Sequence, residues 1–511
     1  MKALLAALLA GLAQAASIAW PGSGEPAWWL QIASLALLVH LLLAAPGWRA
    51  AALRGWVFAT AWLAGVFWWL FISMHTYGGL AAPLAVLAVL GLAAFLGSYY
   101  AIVAGYFQAV APAKKELSAL VFALLWLLAE LARGQWWTGF PWGAGGYAQI
   151  DGPLARLAPA VGMYGITAVA AGLAALLAQV RAADGRRLRW WGGAVALVLV
   201  WQLAGWAQHA GDEGLDVHKP ISLALLQGNI PQDEKFQPGS GVPLALAWYG
   251  AQIRSATAQL VVAPETAIAL LPQELEPGYL EGVTARYREG RQALLVGIPL
   301  GSLRTGYTNS VLGFAAGRQA PYEYDKHHLV PFGEFIPPFF RWFTQLMHIP
   351  LGDFNRGAVG QAPFDWAGER LAPNICYEDL FGEELAQRFR DPAQAPTIMV
   401  NVSNIGWFGD TVAIAQHLTI SRMRALEFRR PMVRATNTGA TAVIDHRGQV
   451  IAQLPAMTRA VLDTTVQGVT GSTTFYAFWA GRWGLAPLWV LGLTAALAAW
   501  WGWRRRALAQ L

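Results

Sequence analysis

The sequence predicts a helical membrane domain, then an α/β domain outside the membrane, then a last helix that returns to the bilayer. Three observations carry this. The chain is 56% hydrophobic and 13% charged, with a mean hydropathy of +0.39, whereas globular domains are about 25% charged. Between Gly55 and Ala113 there is no Asp, Glu, Lys or Arg, enough chain for two spans of roughly 20 residues each. From about Val217 the texture changes from continuous Leu/Ala/Trp to short β-like runs separated by turns.

Taken in order, transmembrane helices are expected near 3–20, 27–45, 55–73, 82–108, 117–132, 160–180, 190–208 and 484–503, about eight in all. The fourth is longer than a bilayer requires, which implies tilt or a break near Gly91 or Gly97. Basic residues orient the set. With the N-terminus inside, the cytoplasmic connections hold Lys2, Arg49, Arg54, Lys114, Lys115, Arg181, Arg186, Arg187, Arg189, Arg504, Arg505 and Arg506. The outside connections at 21–26 and 74–78 hold no Lys or Arg, and the one at 133–159 holds only Arg133 and Arg156. Both termini are then cytoplasmic. Residues 1–208 form a seven-helix domain, 209–483 an extracytoplasmic domain, and 484–511 a final helix with a basic tail. The net charge of +6 reflects this topology rather than nucleic-acid binding. The start has a second reading: Lys2, an apolar run and Ala13-Gln14-Ala15 also fit a cleavable signal peptide. The later segments keep their places either way.

In the polar stretch, Ile221–Leu226, Leu260–Ala263, Ala293–Val296 and Thr397–Val400 read as strands, and 242–258, 274–289 and 412–429 as helices. Such alternation predicts an α/β domain with helices flanking sheet. Its functional groups should lie on loops beyond the strand ends. Glu265, Cys376 and Asn401 fall at such ends.

Cys376 is the only cysteine, so it serves either packing or chemistry. A thiol attacks carbonyls as thiolate and needs a base or a cation beside it. Glu265, in Pro264-Glu265-Thr266, can take the proton if burial lifts its pKa toward working pH. Lys326, in Tyr324-Asp325-Lys326-His327-His328, can stabilise the resulting oxyanion. His327 and His328 are the rival base. Elsewhere, Glu130 reads as an interfacial residue near the end of a span, and Trp136, Trp137, Phe140, Trp142 and Tyr147 as an aromatic belt. Asn401, Asn404 and Asn437 read as turn formers, and His40 and His75 as helix-end residues. The spacing of Cys, His and acids suggests no metal site, and no cofactor is expected.

The runs Pro264-Glu265, Lys326 with Pro331-Phe332-Gly333-Glu334, and Cys376-Tyr377-Glu378 resemble the Glu–Lys–Cys set of the nitrilase (carbon–nitrogen hydrolase) superfamily. The helical N-terminal half and terminal helix narrow the resemblance to its membrane-embedded branch, the apolipoprotein N-acyltransferases. Gln227-Gly228-Asn229-Ile230-Pro231-Gln232, Tyr307-Thr308-Asn309-Ser310, Asn401-Val402-Ser403-Asn404, Trp407-Phe408-Gly409-Asp410 and Arg434-Ala435-Thr436-Asn437 match as well. The likeness spans essentially the whole chain.

The resemblance implies an αββα nitrilase-like catalytic domain on a membrane base, in the bacterial inner membrane and facing the periplasm. It implies transfer of the sn-1 acyl chain of a phospholipid, commonly phosphatidylethanolamine, to the α-amine of a lipoprotein's diacylglyceryl-cysteine. The route is ping-pong, through a cysteine thioester. Cys376 is the implied nucleophile, Glu265 the base and then acid, and Lys326 the oxyanion donor. Glu334 holds Lys326 and tunes Glu265, while Tyr377 and Glu378 shape the nucleophile loop. Where the family often carries a tryptophan, this chain has Phe236, kept as a substrate-loop contact together with Asn309 and Trp407. The apolar run after Glu334, with Phe339, Phe340 and Trp342, reads as a lid dipping into the outer leaflet. A monomer is expected. A tethered amidase using the same trio is the competing function, but a tether needs one helix rather than eight. A transporter or scaffold with a dead enzyme-like domain is the third, disfavoured by the intact trio.

Overall fold

The structure, a computed structural model, describes residues 1–179, 214–336 and 354–508. It divides into two compact units. One contains Gly214–Arg482 together with Trp69–Ala82; the other takes the remaining described residues.

In the helical unit, four helical segments are long and apolar enough to cross a membrane: Ala82–Val110, Lys115–Thr138, Pro153–Ala178 and Ala486–Leu508. A fifth is counted if Trp48–Val66 and Leu70–Tyr77 make one broken span. Lys2–Ile18 and Trp28–Leu43 are apolar but shorter, at 17 and 16 residues. The span expected at 190–208 lies outside the described residues. Two expectations are corrected. The helix expected over 55–73 ends at Val66, and Trp69–Ala82 belongs to the other unit. The long fourth helix has no break: Ala82–Val110 is continuous. Gly97 serves packing there, since a β-carbon would fall 2.9 Å from the Thr60 hydroxyl.

Glu130 faces neither solvent nor lipid. It is fully buried and paired at 2.7 Å with Arg133, itself buried rather than a loop charge. The guanidinium also donates to the Tyr100 hydroxyl at 2.9 Å and to the Phe140 and Trp142 carbonyls at 2.7 and 2.8 Å. A charge pair in apolar surroundings survives only when its donors and acceptors are met, and this one pins the turn that follows its helix. The aromatic belt divides accordingly. Trp136 and Trp137 are exposed, whereas Trp142 and Tyr147 are buried.

The second unit is built on two six-stranded sheets. One runs, in spatial order, Ala460–Val466, Ile221–Gln227, Leu260–Val262, Ala293–Ser302, Gly306–Phe314 and Tyr322–Asp325. The other runs Val450–Gln453, Ala442–Ile444, Met432–Thr436, Ile398–Ser403, Glu369–Ile375 and Phe364–Trp366. The three strands from Ile221, Leu260 and Ala293 are mutually parallel, as are those from Glu369, Ile398 and Met432.

Side chains alternate across a strand, which explains why these strands read as unbroken apolar runs. Leu223, Leu225, Leu260 and Val262 face Ile375, Ile398, Val400 and Val433 between the sheets. Ala224, Leu226 and Val261 point outward, onto Ala245, Tyr249 and Ile253 of helix Gly241–Ser255 and Val283 and Tyr287 of helix Tyr279–Glu289. Helix Val412–Phe428 packs beside Met432–Thr436. The layers are helix, sheet, sheet, helix. The chain leaves neighbouring parallel strands of one sheet at Ile375 and Ser403, and a strand of the facing sheet at Val262.

Candidate active site

Cys376 stands where strand Glu369–Ile375 turns into the short 3-10 helix Cys376–Leu380. Its φ is 52°, in the left-handed region that costs a residue with a β-carbon about 1–2 kcal/mol. Two buried carboxylates hold this turn. Glu378 accepts from the Ile375 amide at 2.6 Å and the Tyr324 hydroxyl at 2.8 Å. Its other oxygen accepts from the amides of His327 at 2.6 Å and His328 at 3.2 Å. It thereby ties the cysteine turn to the segment just after Lys326.

Behind the turn lies a closed polar cluster. Asp379 accepts from His417 Nε2 at 3.1 Å, from Arg434 Nη1 at 3.1 Å and from the Ser421 hydroxyl. Arg434 Nη2 lies 3.0 Å from His417 Nδ1, and His417 Nε2 lies 3.2 Å from the Cys376 carbonyl oxygen. Nε2 faces two acceptors and so carries hydrogen, while Nδ1 accepts from Arg434. Burial pushes the Asp379 pKa up, but His417, Arg434 and Ser421 outweigh it and hold it below the usual range. Asn401 adds a second donor to the Cys376 carbonyl at 3.3 Å, and it bonds Asn374 at 2.7 Å.

The front of the site is built around Glu265. Strand Leu260–Val262 ends, and Pro264-Glu265-Thr266 passes over Gly297, where a β-carbon would lie 2.7 Å from the Glu265 Cα. Glycine is required for that approach. Glu265 Oε1 accepts from Asn309 Nδ2 at 2.7 Å and from Lys326 Nζ at 3.3 Å, and Oε2 accepts from the Asn404 amide at 2.8 Å. Glu334 Oε1 accepts from Lys326 Nζ at 2.9 Å and Asn309 Nδ2 at 2.8 Å. Its Oε2 takes the Val330 amide at 2.9 Å. Asn309 and Lys326 thus each bridge the two carboxylates. A second lysine, Lys235, is wholly buried and donates to the Glu265 carbonyl oxygen at 3.1 Å.

The electrostatics set the resting state. Burial would raise the Glu265 pKa, but Lys326, Asn309, Lys235 and the Asn404 amide together hold it below the usual range. The condition set on Glu265 as base, that burial lift its pKa toward working pH, is not met in the resting site. Burial would likewise lower Lys326, yet Glu265 and Glu334 hold it above the lysine range. The Cys376 thiol is pushed up to about 12, by burial first and the Glu265 charge second, against Lys326 and Ser403. The resting site is thiol, carboxylate and ammonium.

Residues 10–176 match the apolipoprotein N-acyltransferase N-terminal domain model, and residues 222–475 match the carbon-nitrogen hydrolase model. The apolipoprotein N-acyltransferase of Verminephrobacter eiseniae is 63% identical over 94% of this chain and 92% of its own length. That of Ralstonia nicotianae is 47% identical over 92% of this chain and 89% of its own. The chain belongs to the apolipoprotein N-acyltransferase family.

Within this family member, the structure brings Glu265, Lys326, Glu334 and Asn309 into one hydrogen-bonded cluster and puts Glu378 beneath the cysteine turn. Asn309, expected as a substrate contact, is buried in the carboxylate network. Tyr377 packs its ring against Phe381 at 5.2 Å. Phe236 is 43% exposed, and the Trp407 ring meets Tyr77 edge-on at 6.0 Å. Phe339, Phe340 and Trp342 lie outside the described residues. The rival histidine base is turned away from the thiol. His327 Nδ1 is 2.7 Å from the Gly357 carbonyl oxygen, and His328 bonds Glu384 at 3.0 Å while stacking on Phe381. Asn401 is not a turn former but lies within strand Ile398–Ser403, while Asn404 and Asn437 stand where the chain turns after a strand; all three are also buried cross-links, and Asn437 bonds both Ile230 and Asn404. The sequence reading missed Lys235 and the cluster of Asp379, His417, Ser421 and Arg434. The match at Arg434-Ala435-Thr436-Asn437 was the one signal that pointed there.

Proposed function

We propose that this protein moves an acyl chain from a membrane phospholipid to the N-terminal amine of lipoproteins, through a thioester on Cys376. The observation that carries the reading is one carboxylate, Glu265, bonded to a lysine that a second carboxylate also holds, at the strand ends beside the sole thiol. In this reading Glu265 takes the thiol proton as sulfur attacks the donor ester. With a thiol near 12 and a depressed carboxyl, that transfer is uphill in the resting site, so it accompanies C–S bond formation. Lys326 faces the oxyanion, which is where a fixed cation lowers the barrier most. Glu265 then returns the proton to the departing lysophospholipid oxygen. The acceptor amine attacks the thioester in the second half, again with Glu265 as base and then acid.

The finer reading includes the sn-1 chain of phosphatidylethanolamine as donor and a diacylglyceryl-cysteine as acceptor. It includes a monomer with eight spans, domains at 1–208, 209–483 and 484–511, both termini cytoplasmic, and the catalytic domain in the periplasm. The distribution of basic residues supports that orientation. An amidase passing the acyl group to water would not need the four or more apolar helices.

Purified protein incubated with phospholipid alone should gain one acyl mass on the Cys376 peptide. A diacylglyceryl peptide with a free α-amine should then discharge it. No adduct, or discharge to water alone, overturns the reading.

A further inference from the structure

One part of the catalytic unit comes from far outside it in sequence. Trp69–Ala82 follows the helix that ends at Val66 and leads into Ala82–Val110, yet it groups with Gly214–Arg482. Within it the helical turn Leu70–Ile72 passes into the π-helical turn Ser73–Tyr77, a rare form that gathers at functional sites.

This segment meets three consecutive residues of one loop. The Tyr77 ring stands edge-on to Trp407, and the Trp69 ring centroid lies 4.2 Å from that of Phe408. Ile72 reaches Gly409, where a β-carbon would stand 3.5 Å from Ile72 Cδ1. Trp69 goes further: its indole N–H donates to Gln416 Oε1 at 3.0 Å, on helix Val412–Phe428. Both side chains are buried, so leaving either end unpaired is costly.

The loop carries a group for each side of Cys376. It opens at Asn404, whose amide donates to Glu265 Oε2 at 2.8 Å. It closes at Thr411, whose side chain caps the helix. One residue past Gln416, His417 Nε2 lies 3.2 Å from the Cys376 carbonyl oxygen. The single stretch 404–417 therefore supplies one hydrogen bond to the base and one to the nucleophile's backbone. Between strand Ile398–Ser403 and the helix its only regular piece is the 3-10 turn Ile405–Phe408, so packing from outside must fix its shape. Trp69 grips it at Phe408 and again beside His417.

We propose that Trp69 is a positioning residue for acyl transfer: its stack on Phe408 and its bond to Gln416 hold the 404–417 stretch, and with it the Asn404 amide on Glu265 and His417 on the Cys376 carbonyl. The inference rests on the reading above, in which Glu265 is the base. Trp69 acts through Asn404 and His417, not on the substrate. Burial raises the Glu265 pKa, while Lys326, Asn309, Lys235 and the Asn404 amide hold it down. Loosening the Asn404 bond should let it rise.

The test compares full-length wild type with Trp69→Phe, Gln416→Leu and Trp69→Leu in single-turnover acylation of Cys376 by a short, water-soluble ester, read by intact mass. Phenylalanine keeps a ring on Phe408 but loses the N–H; leucine loses both. The maximal rate constant should fall about threefold in Trp69→Phe and Gln416→Leu and about tenfold or more in Trp69→Leu, as small displacements of catalytic groups slow reactions. The ester concentration for half-maximal rate should stay within about twofold of wild type, since substrate binding is not what is lost. The fraction of enzyme finally acylated should match wild type. The acid limb of the rate should move to higher pH, furthest in Trp69→Leu. A smaller acylated fraction with an unchanged rate constant marks a residue that serves folding alone and overturns the proposal. So does an unmoved acid limb, or rate constants equal to wild type.

If Trp69→Leu does not fold, the two milder variants carry the test. Each removes the same single bond, so combining them should cost no more than either alone. Losses that multiply overturn the proposal. Failure of the parent reading is distinguishable, because wild type itself would then take no acyl group from the ester.

Discussion

Two buried charged clusters flank Cys376, one on each side of its turn. Behind it, Asp379, His417, Ser421 and Arg434 bond one another and the Cys376 carbonyl. In front, Glu265 and Glu334 share Lys326 and Asn309. The ingredients are similar, but the wiring is not. Both oxygens of Asp379 are engaged by partners that are themselves at most 1% exposed, so that cluster has nothing left over for a substrate. In front, two carboxylates share one lysine, whose bond to Glu265 is the longer, at 3.3 against 2.9 Å. The rear cluster fixes backbone; the front cluster keeps a movable proton and a fixed cation. A saturated network rigidifies, whereas reactivity needs a group with capacity to spare.

The comparison predicts a ranking of damage. Cys376→Ser should reduce acyl transfer by about 10⁴-fold or more, the scale on which losing a nucleophile acts, with no acyl mass at position 376. Retained turnover would remove the front cluster's meaning altogether. Lys326→Met should cost about 10²–10³-fold in rate through the lost oxyanion donor. It should also move the acid limb of kcat/KM. In wild type the depressed Glu265 stays a carboxylate well into acid, so activity is lost only as pH falls through that low value. Removing the lysine raises the Glu265 pKa, and the limb should shift to higher pH. An unmoved limb would deny that Glu265 and Lys326 act as a pair.

Rear substitutions should read out in stability first. Asp379→Asn leaves Arg434 buried without its anion, a loss of about 3–5 kcal/mol, measurable by denaturant or thermal unfolding. Asp379 is depressed in the folded state. Its stabilisation is therefore present above its unfolded pKa of about 3.9 and is lost as pH falls through the lower folded value. The variant should lack that acid-range dependence, and whatever folded fraction remains should acylate Cys376 better than Lys326→Met does. The smallest effect is expected at Phe236→Ala. That half-exposed ring has its centroid 5.8 Å from Lys235 Nζ, and losing its open apolar face should change KM a few-fold with kcat retained. A fall in kcat alone would argue that Phe236 is not a binding contact.

Much of the catalytic unit was legible because its chemistry sits at strand ends. Ile221–Gln227, Leu260–Val262 and Ile398–Ser403 are buried on both faces, so their apolar runs stand out, and Glu265 comes just after the second; Cys376 follows Glu369–Ile375, whose Glu-Arg start and central Pro-Asn hide the strand. The break after Val66 was not legible. Phe67, Trp68 and Trp69 are as apolar as their neighbours, with no Pro or Gly to mark a stop. Arg133 read as a loop charge because its partner, Glu130, was assigned to an interface; spacing of three residues allows the pair, but only tertiary burial makes it necessary. Asn401 and Asn437 carry poor strand propensity, and only a view across the sheets reveals the acceptors that retain them. The direction of the Glu265 shift was not legible for a similar reason. Burial is predictable from sequence, whereas the charges of Lys326 and Lys235 and the donors of Asn309 and Asn404 that outweigh it are not.

The left-handed backbone at Cys376 has an evolutionary consequence. Any nucleophile bearing a β-carbon pays about 1–2 kcal/mol there, and a glycine would not. A population selected for folding alone would drift toward glycine at position 376, retaining the two carboxylate clamps and every strand. Relatives that have lost the chemistry should therefore betray themselves at this position first, by gaining heat resistance as they lose the thiol.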